Sequence, residues 1–79
     1  MNKAENVKQV HYDAKWVANF SNLRCYSEAV DTAYELGGIE IYNSNDGNDG
    51  NSSWSFAPSR TFEFDDASRA HVTYSGVYA

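Results

Sequence analysis

From Arg60 to Tyr78 apolar and polar residues alternate almost one for one. Phe62 and Phe64 stand against Glu63 and Asp65, and Val72, Tyr74 and Tyr78 stand against His71, Thr73 and Ser75. A strand points successive side chains to opposite faces, so this rhythm predicts strands with one buried face. The segment "IEIY" (39–42) continues it with Ile39 and Ile41, and "WSFAP" (54–58) with Trp54 and Phe56, before Pro58 breaks the strand or marks an edge. Consecutive strands joined by short connections imply an antiparallel sheet.

Two further segments complete the expected architecture. "YSEAVDTAYELGG" reads as a helix over residues 28–36, with Ser27 as its N-cap and Ala29, Val30, Ala33 and Leu36 on its apolar side. Gly37-Gly38 can take the left-handed conformation that ends it. Between Val10 and Phe20 the even positions (Val10, Tyr12, Ala14, Trp16, Ala18 and Phe20) are apolar. A helical stripe through Val7, Val10, Ala14 and Val17 competes, but the strand reading sends Tyr12, Trp16 and Phe20 into the core together. The expected order is β-α-β-β-β-β. The fold class is α+β: an antiparallel sheet of four to five strands with one helix packed on one face, a single small domain over 1–79. At 79 residues the core is thin, because a chain this size buries only about 60% of its unfolded surface.

Composition excludes several function classes. The formal charge is −5, and the six basic residues are scattered. Direct nucleic-acid binding is therefore disfavoured, since that affinity rests on Lys and Arg displacing phosphate counterions. One cysteine, Cys25, permits no intrachain disulfide and fits a reducing compartment. The N-terminus lacks the apolar core of a signal peptide, and no apolar run reaches membrane-spanning length. The expectation is a soluble protein of the host cell cytoplasm that makes no membrane contact.

The residues that usually carry chemistry are few. "NSNDGNDGNSS" (43–53) invites a calcium-loop reading, but neither Gly47 nor Gly50 at the sixth position puts oxygen ligands at the first, third and fifth. Its Asp-Gly pairs fit a hairpin loop with a mobile tip, free of metal over 44–52. His11, Asp13 and His71 would approach a zinc site only if the first and last strands were neighbours; otherwise the histidines face solvent. Cys25 follows Arg24 near a helix start, a setting that can lower a thiol pKa, but a lone cysteine reads more simply as a buried apolar residue. Asp65-Asp66 reads as a hairpin turn. No enzyme activity, cofactor or metal is expected.

The acids say more. Glu28, Asp31 and Glu35 follow i, i+3, i+7 spacing on one helical stripe, and with Glu40, Asp46 and Asp49 they make a stretch with no Lys or Arg between positions 28 and 50. Asp31 and Glu35 repel across one turn by about 0.2–0.5 kcal/mol. Glu35 also sits at the helix end where cations are preferred. Tyr42, opposite Ile39 and Ile41, adds an exposed aromatic of the kind enriched at interfaces. The candidate partner-binding residues are thus Glu28, Asp31, Glu35, Glu40, Tyr42, Asp46 and Asp49.

The helix-to-strand unit "SEAVDTAYELGGIEIY", continued by the acidic stretch through Asp49, resembles the phage-encoded anti-CRISPR proteins, in general character those that inhibit type I-C systems. The resemblance covers the format of the whole chain and rests on no shared motif, so no functional residue is carried over by it. It implies a stoichiometric binder of a subunit of the CRISPR-Cas effector complex (the surveillance complex, Cascade). Carboxylates would enter the basic groove where target DNA otherwise lies. The alternative is an interaction or homodimerisation module of other function, pairing through an exposed strand edge. As to assembly, a monomer or weak homodimer is expected.

Overall fold

The computed structural model describes residues 2–44 and 59–79. Helix α1 (Lys3–Trp16) occupies the segment expected as the first strand. Its start is set by a capping box: the Asn2 side chain accepts the Glu5 amide at 2.8 Å, and the Glu5 carboxylate accepts the Asn2 amide at 3.1 Å. Ala4, Val7, His11 and Ala14 form its buried stripe, at helical spacing. Tyr12 and Trp16 are consequently exposed. The strand reading over 10–20 is overturned because the apolar alternation there is also compatible with a helix that buries mainly small residues. His11 is buried rather than solvent-facing, its Nε2–H donating to the Thr73 carbonyl at 3.2 Å.

Asn19, at a left-handed φ of 55°, turns the chain after α1, a conformation that asparagine tolerates better than most residues. Helix α2 (Asn22–Glu35) then begins six residues before the expected start. Its N-cap is Ser21, whose hydroxyl accepts the Arg24 amide at 3.2 Å, and Ser27 lies within the helix. The Gly37-Gly38 terminus is as expected. Gly37 has φ 81°, its amide returns to the Tyr34 carbonyl and that of Gly38 to the Ala33 carbonyl. This paired arrangement closes a helix end. Cys25, Ala29 and Ala33 line the buried side of α2. All three are small, as are the buried Ala4 and Ala14 of α1.

Strands β1 (Ile39–Asn43), β2 (Ser59–Glu63), β3 (Arg69–Thr73) and β4 (Val77–Tyr78) form one antiparallel sheet in chain order. The chain is therefore α+β with a four-stranded antiparallel sheet, but its order is α-α-β-β-β-β and it has two helices where one was expected. The run read as one strand to Tyr78 is broken into β3 and β4. The Thr73 hydroxyl and amide both donate to the Gly76 carbonyl, at 2.7 and 2.8 Å, and fold the chain back. The hairpin loop expected beyond Ser44 and the strand expected at Trp54 and Phe56 lie outside the described residues.

Both helices cover the same sheet face. Phe62 pairs with Ala70 and Val72 with Val77, and all four are buried with Val7, Ala29, Ala33 and Phe64 in one cluster. Asp65 and Asp66 lie in the β2–β3 turn, which docks on the start of α1. Asp66 accepts the Lys3 amide at 3.0 Å, and the Ser68 hydroxyl accepts the Ala4 amide at 3.2 Å.

Candidate functional site

The alternation in β2 sorts the candidate residues onto two sides of the sheet. Phe62 and Arg60 face the helices, whereas Thr61 and Glu63 face away. A bulge in β1 between Glu40 and Tyr42 keeps Glu40, opposite Phe62, on the helix side and turns Tyr42, opposite Thr61, to the other. Glu40 and Tyr42 are two residues apart, a spacing that shares a face in a regular strand, but here they belong to different surfaces.

On the helix side Glu40 has an internal partner. Arg60 donates to it at 2.9 Å and also to the hydroxyls of Tyr26 (3.0 Å) and Tyr34 (3.1 Å). The Tyr34 hydroxyl donates to the same carboxylate at 3.0 Å, and the Tyr34 ring packs edge-on against Phe62. Burial raises the Tyr26 hydroxyl pKa above its ordinary value, an effect the Arg60 hydrogen bond only partly offsets. This network locks the C-terminal end of α2 to β1 and β2, so Glu40 holds structure as well as charge.

The acids of α2 differ among themselves. Glu28 pairs with Arg24 one turn earlier at 3.6 Å, and Arg24 also lies over the Phe20 ring. Asp31 and Glu35 are exposed and have no ion-pair partner among the described residues. Asp46 and Asp49 lie outside the described residues. Of the expected set, Glu28, Asp31 and Glu35 share the α2 surface, Glu40 joins its end through Tyr34, and Tyr42 is on the opposite face of the molecule.

That opposite face has a composition the sequence reading missed. Tyr42, Thr61, His71 and Tyr78 are successive partners across all four strands. The His71 ring lies 6.2 Å from that of Tyr42 and 6.3 Å from that of Tyr78. Its Nδ1 is 2.6 Å from the Thr61 hydroxyl. Ile39 is exposed one pair further along β1, and Glu63 and Arg69 bridge beside it at 3.0 Å. The sequence reading sets Tyr78 with Val72 and Tyr74, opposite His71; the turn between Thr73 and Gly76 instead brings Tyr78 to the His71 side.

Cys25 is buried, and its sulfur points at the Phe20 carbonyl. His11 lies on the buried side of α1 while His71 lies on the far face of the sheet, and among the described residues no group of three His, Cys, Asp or Glu is placed to hold a metal ion. No helix among the described residues is long and apolar enough to cross a membrane. Compared with protein-family models, curated proteins and solved structures, the chain matches none.

Proposed function

We propose that the chain acts by binding another protein, and that this partner is a subunit of a type I CRISPR effector complex whose basic DNA groove its acids occupy. The observation that carries this reading is the pair Asp31 and Glu35, exposed and without ion-pair partners among the described residues in the second half of α2. Helix ends prefer cations there and anions at the start. Helix α2 has the reverse order, with Arg24 in its first turn and its unpaired acids near its end. A partner's lysines and arginines would supply the missing complement. The identity of that partner rests on the resemblance in format to the phage-encoded inhibitors.

The test is binding to a purified type I surveillance complex, with displacement of target DNA as a second readout. Asp31→Lys with Glu35→Lys leaves the Glu40–Arg60 network intact and is expected to weaken binding about a hundredfold, with the wild-type affinity falling as salt rises. Unchanged inhibition by this folded variant sinks the acidic-surface reading, and failure of the wild type to bind any type I complex sinks the choice of partner.

The open sheet face favours a second reading, a weak homodimer. Ile39, Tyr42 and Tyr78 are exposed there, and the Glu63–Arg69 bridge compensates the Glu63 carboxylate beside them. Two copies of a chain with net charge −5 repel least through such a surface. Light scattering across a concentration series decides it: a dimer dissociated by Tyr42→Ser with Tyr78→Ser supports the reading, and a monomer throughout excludes it.

A further inference from the structure

Four of the six lysines and arginines hold carboxylates: Lys3 with Asp65, Arg24 with Glu28, Arg60 with Glu40 and Arg69 with Glu63. Lys8 and Lys15 have no such partner among the described residues, and both line one cleft between α1 and the β3–β4 turn. The cleft has a volume of about 160 Å³, and among the described residues no carboxylate lines it, in a chain of net charge −5; Glu5 lines the adjoining hollow beside Lys8 and Tyr12.

Helical geometry assembles its outer wall. Lys8, Tyr12, Lys15 and Trp16 follow i, i+4, i+7, i+8 spacing and share one side of α1. Tyr12 and Trp16 are 56% and 67% exposed, their ring centres 6.3 Å apart and their planes tilted by 42°. Large aromatics left in water beside unpaired ammonium groups offer a flat π surface next to positive charge. His11, which is 2% exposed, forms the inner wall. Because the Thr73 carbonyl can only accept, the proton bonded to it is on Nε2, and Nδ1 has no protein partner among the described residues.

A ligand that satisfies all of these groups has an aromatic ring and an anion. A simple carboxylate leaves the rings unused, and a neutral aromatic leaves the lysines unused. We propose that this cleft binds a nucleoside phosphate, its base against Tyr12 and Trp16 and its phosphate held by Lys8 and Lys15. The cleft is smaller than the roughly 300 Å³ at which small-molecule sites usually begin, so part of the ligand lies across the open Tyr12 ring and affinity is modest. A free nucleotide fits better than a strand, because the protein's overall negative charge opposes a long polyanion.

Trp54→Phe leaves Trp16 as the sole tryptophan, and its fluorescence is titrated with ADP, GDP, CDP and UDP, with calorimetry on the unaltered chain in parallel. At least one diphosphate is expected to saturate the signal, with its nucleoside and inorganic phosphate each binding about tenfold or more weakly. Lys8→Ala with Lys15→Ala is expected to weaken binding by about tenfold or more while circular dichroism stays unchanged. Calorimetry on Trp16→Leu tests the stacking half in the same way. A short single-stranded oligothymidylate binding more tightly than any free nucleotide would assign the same chemistry to a strand. No saturation by any of the four at millimolar concentration overturns the proposal. So does equal binding of nucleoside and nucleotide, or binding that survives the double lysine change.

Discussion

The Asp66 carboxylate accepts the Lys3 amide at 3.0 Å, across 63 residues of sequence, so the β2–β3 turn caps the helix that begins the fold. Helix starts leave four amides without intrahelical partners. In α1 three of them are met by side chains: Lys3 by Asp66, Ala4 by Ser68 and Glu5 by Asn2. The Lys3 ammonium adds a 2.7 Å pair with Asp65. The start of α1 and the β2–β3 hairpin are therefore tied into one unit.

Acid should loosen this joint at a defined pH. The Ser68 hydroxyl, followed by the Lys3 and Ser68 amides, holds the Asp66 carboxyl at about 2, below its ordinary 3.8. A carboxylate whose folded pKa is depressed stabilises fully above its unfolded pKa and loses that contribution as pH falls through the folded value. The window here runs from about pH 4 down to about 2. Asp66→Asn is expected to melt below wild type near neutral pH, with the gap narrowing through that window, measured by thermal denaturation across a pH series. A gap independent of pH would mean that the charged form contributes nothing.

The same turn carries a correctable strain. Ala67 has φ 69°, a region where an L-residue costs about 1–2 kcal/mol. Ala67→Gly removes that strain but adds freedom to the unfolded chain. The expected net is a stabilisation of about 0.5–1 kcal/mol in urea unfolding. Loss of stability would show that the added freedom of the unfolded chain outweighs the strain relieved.

What was legible in the sequence follows from the range of the interactions. The end of α2 at Gly37-Gly38 and the strand rhythm of "RTFEF" depend on residues within a few positions, and both were readable. Helix α1 was misread because its buried stripe consists of Ala4, Val7, His11 and Ala14, three small residues and a histidine, whereas the larger Tyr12 and Trp16 spell a strand. The capping box at Asn2 and Glu5 was the available signal. The run of acids from 28 to 40 looked uniform because its two counter-charges come from elsewhere. Arg24 precedes it by one turn, and Arg60 reaches Glu40 across the sheet. The bulge that parts Tyr42 from Glu40 leaves no mark in the sequence.

Gly38 is required by contact, whereas the left-handed turn conformation belongs to Gly37. A Cβ there would meet Phe64 Cε1 at 2.7 Å and the Ala33 carbonyl oxygen at 2.9 Å. The Phe64 ring is buried and the carbonyl is helix backbone, so neither yields easily. Gly38→Ala is expected to cost about 1–3 kcal/mol, read from chemical denaturation. A cost under about 0.5 kcal/mol would mean the Phe64 ring swings freely.

Arg60 joins three partners, so its removal should be felt at each. Arg60→Met keeps the stem but takes the counter-charge from Glu40, which retains the Tyr34 hydroxyl, and takes the Arg60 donor from the Tyr26 hydroxyl. A cost of about 1–2 kcal/mol is expected, discounted because both charged side chains retain partial solvent access. The Tyr26 pKa, already raised mainly by burial, should rise further once the lowering effect of Arg60 is gone. Alkaline absorbance titration checks it, and an unchanged tyrosine curve would disprove the coupling.

Glu35 separates stability from binding. It ends α2 with no basic residue in the last turn, and its carboxylate faces the negative end of the helix dipole. Asp31, one turn before it, adds like-charge repulsion. Glu35→Lys reverses both effects, turning two repulsions into attractions on an exposed surface. The folded state should gain about 0.3–1 kcal/mol, visible as a rise in Tm that shrinks with added salt. If the acids of α2 serve a basic partner, the same change should weaken that complex, chiefly by slowing association at low salt. A variant that is more stable and binds less well is the expected outcome. One that is more stable and binds equally well would place the partner's contact elsewhere, and one that is less stable would remove the electrostatic argument on which the acidic surface rests.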